Sequence, residues 1–294
     1  MSDNTRVYWV HALTPLHVGA GRGAAFVDLP VMREKVTGWP LVPGTAMKGV
    51  LRDMFERDEG NKQFVDAAFG RAAENTEDDQ AGALVLTDAR LVLLPVRSYF
   101  GTFVYATSSL ALQRLARDLE QAEVPGVPSV PDAPAGERAL VAEAEAISED
   151  GRMFLEDLDF ATAEDPSASA WARFLAGQIF PDRPQDQKML LPRFAILSDS
   201  TFDFLSETGT EVQARIRIDD KTKTVAGGAL WYEESLPPET VLAGLVWCDR
   251  VWAEGFSAQE VLDKACGRPL ICQVGGKATT GRGRVRCLFS GKEV

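Results

Sequence analysis

Histidine is nearly absent. His11 and His17 are the only two in 294 residues, too few for a multi-histidine metal site. No Cys-x-x-Cys pair occurs. The four cysteines (Cys248, Cys266, Cys272 and Cys287) all lie in the last fifth of the chain, which points to free core thiols in a reducing cytosol rather than a disulfide or zinc framework. No apolar run reaches the ~20 residues that a membrane span needs. The N-terminus, MSDNTRVYWV, lacks the basic and apolar regions of a signal peptide. A cytoplasmic protein with no membrane partner is the expectation. There is no self-similar period, no clean linker and no regular βαβα rhythm, so one elaborated α+β domain over 1–294 is expected, a small sheet with helices on one face and several insertions.

What is present is an ordinary globular composition, 45% hydrophobic and 25% charged. The net charge of −12 argues against nucleic acid only if it is spread evenly, and it is not. Residues 118–165 are densely acidic, whereas 267–292 hold no acid but include Arg268, Lys277, Arg282, Arg284, Arg286 and Lys292. A local basic face can bind phosphate while the remainder keeps the protein soluble.

Residues 5–13 read as a strand. PGTAMKGVLRDMFERD, 43–58, reads as a helix capped by Thr45, with Met47, Val50, Leu51, Met54 and Phe55 on one face. Lys48 and Arg52, four apart, share another face. A strand at 83–95 and capped helices at 108–123, 166–178 and 198–207 follow. EVQARIRIDDKTKTVAGGALWYEE, 211–234, reads as a long hairpin with a charged tip at 219–223. A last helix ends at Gly267, before a strand, a glycine loop and a strand.

Two glycine stretches stand out. HVGAGRGAAFVDLP, 17–30, places Gly19, Gly21 and Gly23 on alternate positions; GGKATTGRGR, 275–284, is the closing loop. Neither is a dinucleotide fingerprint or a P-loop. Both can be tight turns between strands, or can present backbone N–H groups to phosphate. Asp28 can close a local turn, pair with Arg33 or Lys35, or order a reacting phosphate directly or through a divalent cation. His17 can be a hydrogen-bonded strand-end residue or a general base or acid. Glu233 and Glu234 follow Trp231-Tyr232 and read as solvated.

LTPLHVGAG, VDLPVMREKVTGWPLVPGTAMKGVLRD, RIRIDDKTKTVAGGALWYEESLP and QVGGKATTGRG occur in that order. Together they resemble the backbone-subunit family of Cmr-type (type III-B) CRISPR effector complexes, within the RAMP (repeat-associated mysterious protein) superfamily. The resemblance implies an RRM-like (ferredoxin-like) palm with insertions and a protruding β-hairpin thumb. It implies copies polymerising along a CRISPR guide RNA beside other subunits of the Cmr complex. Each copy would cut target RNA at a regular interval with a divalent cation, Mg or Mn. The family's cleavage aspartate maps onto Asp28, also the possible metal ligand, and its turn histidine onto His17. A glutamate of the YEE segment maps onto Glu233 or Glu234. The family's closing loop often reads GGDET where this chain has GGKAT, a lysine and an alanine replacing acids.

On that reading Asp28 recruits the cation or aligns the ribose 2′-OH, and His17 assists proton transfer, giving a 2′,3′-cyclic phosphate and a 5′-hydroxyl. Gly19, Gly21 and Arg22 would grip RNA backbone, with Lys48 and Arg52. The closing loop would add Gly275, Gly276, Lys277, Gly281, Arg282 and Gly283. The competing readings are a non-catalytic scaffold of the same complex, a RAMP endoribonuclease that processes precursor guide RNA, and a small-molecule phosphate enzyme.

Overall fold

The structure is a computed structural model that describes residues 4–21, 27–57, 62–71, 80–218 and 225–291. Arg22 and the expected hairpin tip at 219–223 lie outside the described residues. In chain order the elements are β1 (Arg6–Ala12), α1 (Gly44–Glu56), α2 (Lys62–Phe69), β2 (Ala89–Arg97), β3 (Phe103–Ser108) and α3 (Ser109–Gln121). Then come β4 (Arg138–Val141), β5 (Arg152–Leu155), β6 (Leu158–Glu164), α4 (Pro166–Ile179), α5 (Pro184–Leu190), β7 (Phe194–Leu197) and α6 (Asp199–Thr208). The hairpin β8 (Glu211–Ile218) and β9 (Val225–Ser235) precedes β10 (Val241–Cys248), α7 (Ala258–Cys266), β11 (Leu270–Gln273) and β12 (Arg284–Gly291).

Among the described residues the main sheet runs β11-β12-β1-β10-β2-β3-β7-β4-β6-β5. Its first part carries the ferredoxin-like signature. β1 lies between β12 and β10, β10 lies beside β2, and all these neighbours are antiparallel. α1 leads from β1 toward β2, and α7 from β10 toward β12, so the split βαββαβ palm expected from the sequence is present.

Alternation in β1 explains the layering. Tyr8, Val10 and Ala12 pack with Met47 and Leu51 of α1 and Val261, Leu262 and Ala265 of α7. Val7 and Trp9 pack on the opposite face with Leu112, Leu115 and Leu119 of α3 and Trp171 and Leu175 of α4. A strand buried on both faces must lie inside the sheet, so helices cover both faces and not one. Full burial of Trp9 and Trp171 contributes about 3 kcal/mol each.

The far end of the sheet curls back on itself. Ser98, in the turn after β2, bridges Leu155 of β5, and the Tyr99 N–H donates to the Phe154 carbonyl at 3.1 Å. This closure encloses Leu94, Val96, Met153, Leu155, Ala195 and Leu197.

Two local expectations need correction. Thr45 does not cap α1; its first N–H, Gly44, is capped at 2.8 Å by the Asp88 carboxylate. A Cβ on Gly44 would meet the Leu86 carbonyl at 2.3 Å, which is why glycine opens this helix. The strand expected over 83–95 is broken at Thr87-Asp88, because Asp88 turns out to make that cap. Its first piece, Leu84–Leu86, pairs with β10 instead. The four cysteines are free and buried, and burial raises the Cys248 and Cys272 thiols to about 11. No helix among the described residues is long and apolar enough to cross a membrane.

The β8–β9 hairpin forms its own two-stranded sheet. Register puts Val212 opposite Glu234, Ala214 opposite Tyr232 and Ile216 opposite Leu230 on one face. Val212, Ile216 and Leu230 are each more than half exposed. The other face carries Gln213 and Arg215 opposite Glu233 and Trp231.

Candidate functional site

One strand collects the two glycine loops. The edge of β9 turned away from β8 bonds to the segment that carries Asp28. The Leu29 N–H donates to the Tyr232 carbonyl at 3.1 Å, and the Glu234 N–H to the Leu29 carbonyl at 3.0 Å. Residues 18–20 run antiparallel to 30–32, with Met32 N–H on the Val18 carbonyl at 2.7 Å and Ala20 N–H on the Pro30 carbonyl at 3.0 Å. The closing loop joins from the other side, where the Gly276 N–H donates to the His17 carbonyl at 2.9 Å. A Cβ on Gly275 would lie 2.2 Å from that same carbonyl, and its φ is +76°, so only glycine allows this approach.

His17 is 7% exposed, and its Nδ1 sits 2.6 Å from the Glu234 carbonyl. A carbonyl only accepts, so Nδ1 carries the proton and Nε2 of the neutral ring holds a free lone pair. A Cβ on Gly19 would stand 2.9 Å from Nε2. Gly19 thus leaves beside Nε2 the room that a methyl group would fill.

Asp28 is exposed, and one oxygen, Oδ2, accepts the Tyr232 N–H at 2.8 Å. It pairs with neither Arg33 nor Lys35; Arg33 is bound to Glu234. The anchored oxygen orients the carboxylate, and the second has no hydrogen-bond partner among the described residues. Asp28 and His17 are thus fixed to the same strand edge at positions two residues apart, about 7 Å of strand.

The two glutamates are buried, not solvated as expected, and they differ. Glu234 Oε2 accepts the Val31 N–H at 2.9 Å, and Oε1 accepts Arg33 and the Thr210 hydroxyl at 2.9 Å. It ties the Asp28 segment and the end of α6 to β9. Glu233 Oε1 accepts Lys277 Nζ at 2.6 Å and Trp231 Nε1 at 2.7 Å, while Oε2 faces Arg215 Nε at 3.3 Å. Burial would raise its carboxyl, but these donors and the two positive charges hold it at about 2. A group so acidic is no proton shuttle at neutral pH. Because its value lies below the ordinary 4.5, its contribution to stability is complete above that pH and is lost as the pH falls through 2.

The basic residues are less available than the sequence suggests. Arg282 is buried, donating to the Ser235 hydroxyl and to Gln213 Oε1 at 2.5 Å; it braces the closing loop and is no surface ligand. Arg286 is buried against Asp182. Three of the loop's glycine N–H groups are also committed: Gly276 N–H to His17, Gly281 N–H to the Ala278 carbonyl at 3.0 Å, and Gly283 N–H to the Pro15 carbonyl at 2.9 Å. These N–H groups form the turn and cannot cradle phosphate. Lys48 stands half-buried on α1, its pKa lowered first by burial and then by Arg52. Arg52 pairs along the helix with Glu56 at 2.6 Å. Neither lines the cleft of about 580 Å³ between α1 and the closing loop, where Arg57, Asp53 and Arg284 appear instead. Gly21, with φ +94°, ends the described part of the first loop.

Sequence reasoning thus brought His17, Gly19, Asp28, Glu233, Gly275, Gly276 and Lys277 to one place. It missed Arg33, Thr210, Arg215 and Trp231 as their holders. No cluster of three or more metal-ligating side chains occurs among the described residues. What the site offers a cation is the free Asp28 oxygen, which fits Mg²⁺, an ion held by one or two carboxylates with water and substrate phosphate completing its shell.

Comparison with known proteins bears on the family and the fold. The sequence model of the RAMP superfamily matches residues 9–286. The chain is 34% identical over 293 residues to the CRISPR system Cmr endoribonuclease Cmr4 of Pyrococcus furiosus, spanning 97% of this chain and 95% of that protein. The crystal structure of oligomeric Cmr4 from Pyrococcus furiosus superposes over all of both chains with a TM-score of 0.74 at 25% identity. A chain of the type III-B Cmr-beta complex bound to cognate target RNA shares the fold, with a TM-score of 0.73 at 19% identity over 97% and 96% of the two chains. From the palm topology, the joined glycine loops and these matches, the chain belongs to the RAMP superfamily and, within it, to the Cmr4 family.

Proposed function

We propose that the chain is a guide-RNA-binding backbone subunit of a type III-B CRISPR ribonucleoprotein, assembling with copies of itself and other Cmr subunits and cutting complementary target RNA. Its relatives are named for that complex and for endoribonuclease activity. The observation that carries the reading is the strand edge of β9, which holds the half-anchored Asp28 carboxylate and the His17 ring, with Gly19 leaving room at Nε2, side by side.

RNA carries its own nucleophile. His17 Nε2 takes the proton of the ribose 2′-OH as O2′ bonds to phosphorus. The P–O5′ bond breaks, and the leaving oxygen draws a proton from solvent. The second oxygen of Asp28 aligns the 2′-OH. A divalent cation bound at Asp28 would supply charge to the phosphate oxygens. Fixed geometry matters most, because in-line attack needs a kinked, immobile strand.

The reading is tested with the complex reconstituted on guide and complementary RNA. Cleavage at regular intervals, leaving 2′,3′-cyclic phosphate and 5′-hydroxyl ends, is expected. Ends of the opposite kind, a 3′-hydroxyl and a 5′-phosphate, would overturn the mechanism. Omitting Mg and Mn from the same assay reads the role of the cation. A second variant isolates the base. Gly19→Ala puts a methyl against His17 Nε2 and is expected to slow cleavage by about 10²-fold, the lower end for a lost general base, with RNA affinity retained. Unchanged cleavage would remove His17 from the proton transfer.

A further inference from the structure

The Lys277–Glu233 pair has a geometry that a simple surface ion pair does not need. Glu233 is 3% exposed and Lys277 sits at its open end, the side chain about one-third exposed. Lys277 also holds φ +66°, a left-handed conformation that lysine rarely adopts. The backbone strain aims the side chain across the loop onto β9. An ammonium has three donors. One goes to Glu233 Oε1 at 2.6 Å, and among the described residues no other acceptor takes the remaining two. Arg215 faces the same carboxylate, so Glu233, Lys277 and Arg215 together keep one net positive charge. The loop's own N–H groups at Gly276, Gly281 and Gly283 are spent internally. With those three N–H groups committed, the Lys277 ammonium is a positive charge that the loop turns toward β9.

Resting on the RNA-binding reading above, we propose that Lys277 is a phosphate ligand of the bound RNA and that Glu233 is the positioning residue that holds its ammonium in place. Glu233 then needs neither to bind metal nor to move a proton. Its buried carboxylate, gripped by Trp231 and Arg215, fixes the direction of one flexible lysine before RNA arrives. Such preorganisation saves the ordering cost of the side chain on binding. Lysine acts here as an oriented point charge.

The test is a salt titration of the full chain with a labelled, unstructured single-stranded RNA, comparing wild type, Lys277→Ala, Lys277→Arg and Glu233→Gln. Loss of one phosphate contact makes the slope of log affinity against log salt shallower by about 0.7 for single strands. That change is expected for Lys277→Ala and not for Lys277→Arg. Glu233→Gln separates positioning from bulk electrostatics by sign. Removing a carboxylate adds net positive charge, which by itself tightens RNA binding. Positioning predicts weakening instead, by roughly three- to tenfold for one lost oriented contact. An unchanged slope in Lys277→Ala, or tighter binding in Glu233→Gln, overturns the inference. Thermal melts of each variant show whether it is folded, and Lys277→Ala, at a partly exposed side chain, serves if Glu233→Gln is not. A wild type whose RNA binding ignores salt would instead overturn the RNA-binding reading itself.

Discussion

Asp28→Asn is expected to reduce target cleavage by at least 10²-fold while the assembled complex still binds target RNA. The replacement keeps the shape and keeps an oxygen for the Tyr232 N–H, so the segment 28–31 stays on β9. It removes the carboxylate charge to which the proposed mechanism gives the alignment of the 2′-OH or the holding of a cation. Loss of one positioned catalytic group typically costs 10²–10⁴ in rate. The fragment ladder on a gel and a binding isotherm read the two properties separately. A ladder unchanged in Asp28→Asn would leave the chain as a guide-binding scaffold. The catalytic residues would then belong to another subunit.

The largest effect on stability should come from Glu234, not from its neighbour. Glu234→Ala strips the carboxylate from Arg33 and leaves the buried Val31 N–H unmatched, while the Thr210 hydroxyl keeps only its long bond to the Glu207 carbonyl. Breaking a buried ion pair costs about 3–5 kcal/mol. Arg33 keeps some solvent contact and bonds to the Gly38 and Ser206 carbonyls, which argues for the lower end, about 3 kcal/mol. A fall in melting temperature of roughly 5–10 °C follows for a chain of this size. Glu234→Gln, which can still meet Val31 and Thr210, should lose less than half of that. Equal melting of Glu234→Ala and wild type would show that the ladder at Leu29 and Leu236 holds the loop alone.

Much of the palm was legible because periodicity and caps report local physics. The hairpin and the helices at 44–56, 109–121, 166–179, 199–208 and 258–266 follow from apolar spacing with Ser, Asp or Pro at their starts. The errors have a common cause. Asp88 caps a helix more than forty residues away in sequence, and no local rule points to it. Arg282 looks like an exposed cation in a glycine loop, yet Ser235 and Gln213 arrive from the hairpin to bury it. The Trp231-Tyr232-Glu233-Glu234 run reads as a solvated strand end, because nothing local shows that two loops fold over it. In the candidate site, residue types were legible and partners were not. His17, Asp28 and Lys277 are separated by up to 260 residues, and what unites them is strand pairing.

That union has a mechanical side. β9 is at once an arm of the standing hairpin and the rail to which Asp28, His17 and Lys277 are fastened, at Tyr232, Glu234 and Glu233 in turn. A load applied to the hairpin's apolar face reaches all three groups through β9, two by bonds to its backbone and Lys277 by the Glu233 carboxylate. The site therefore has one degree of adjustment where three separate loops would have three. Whatever moves β9 moves Asp28, His17 and Lys277 together.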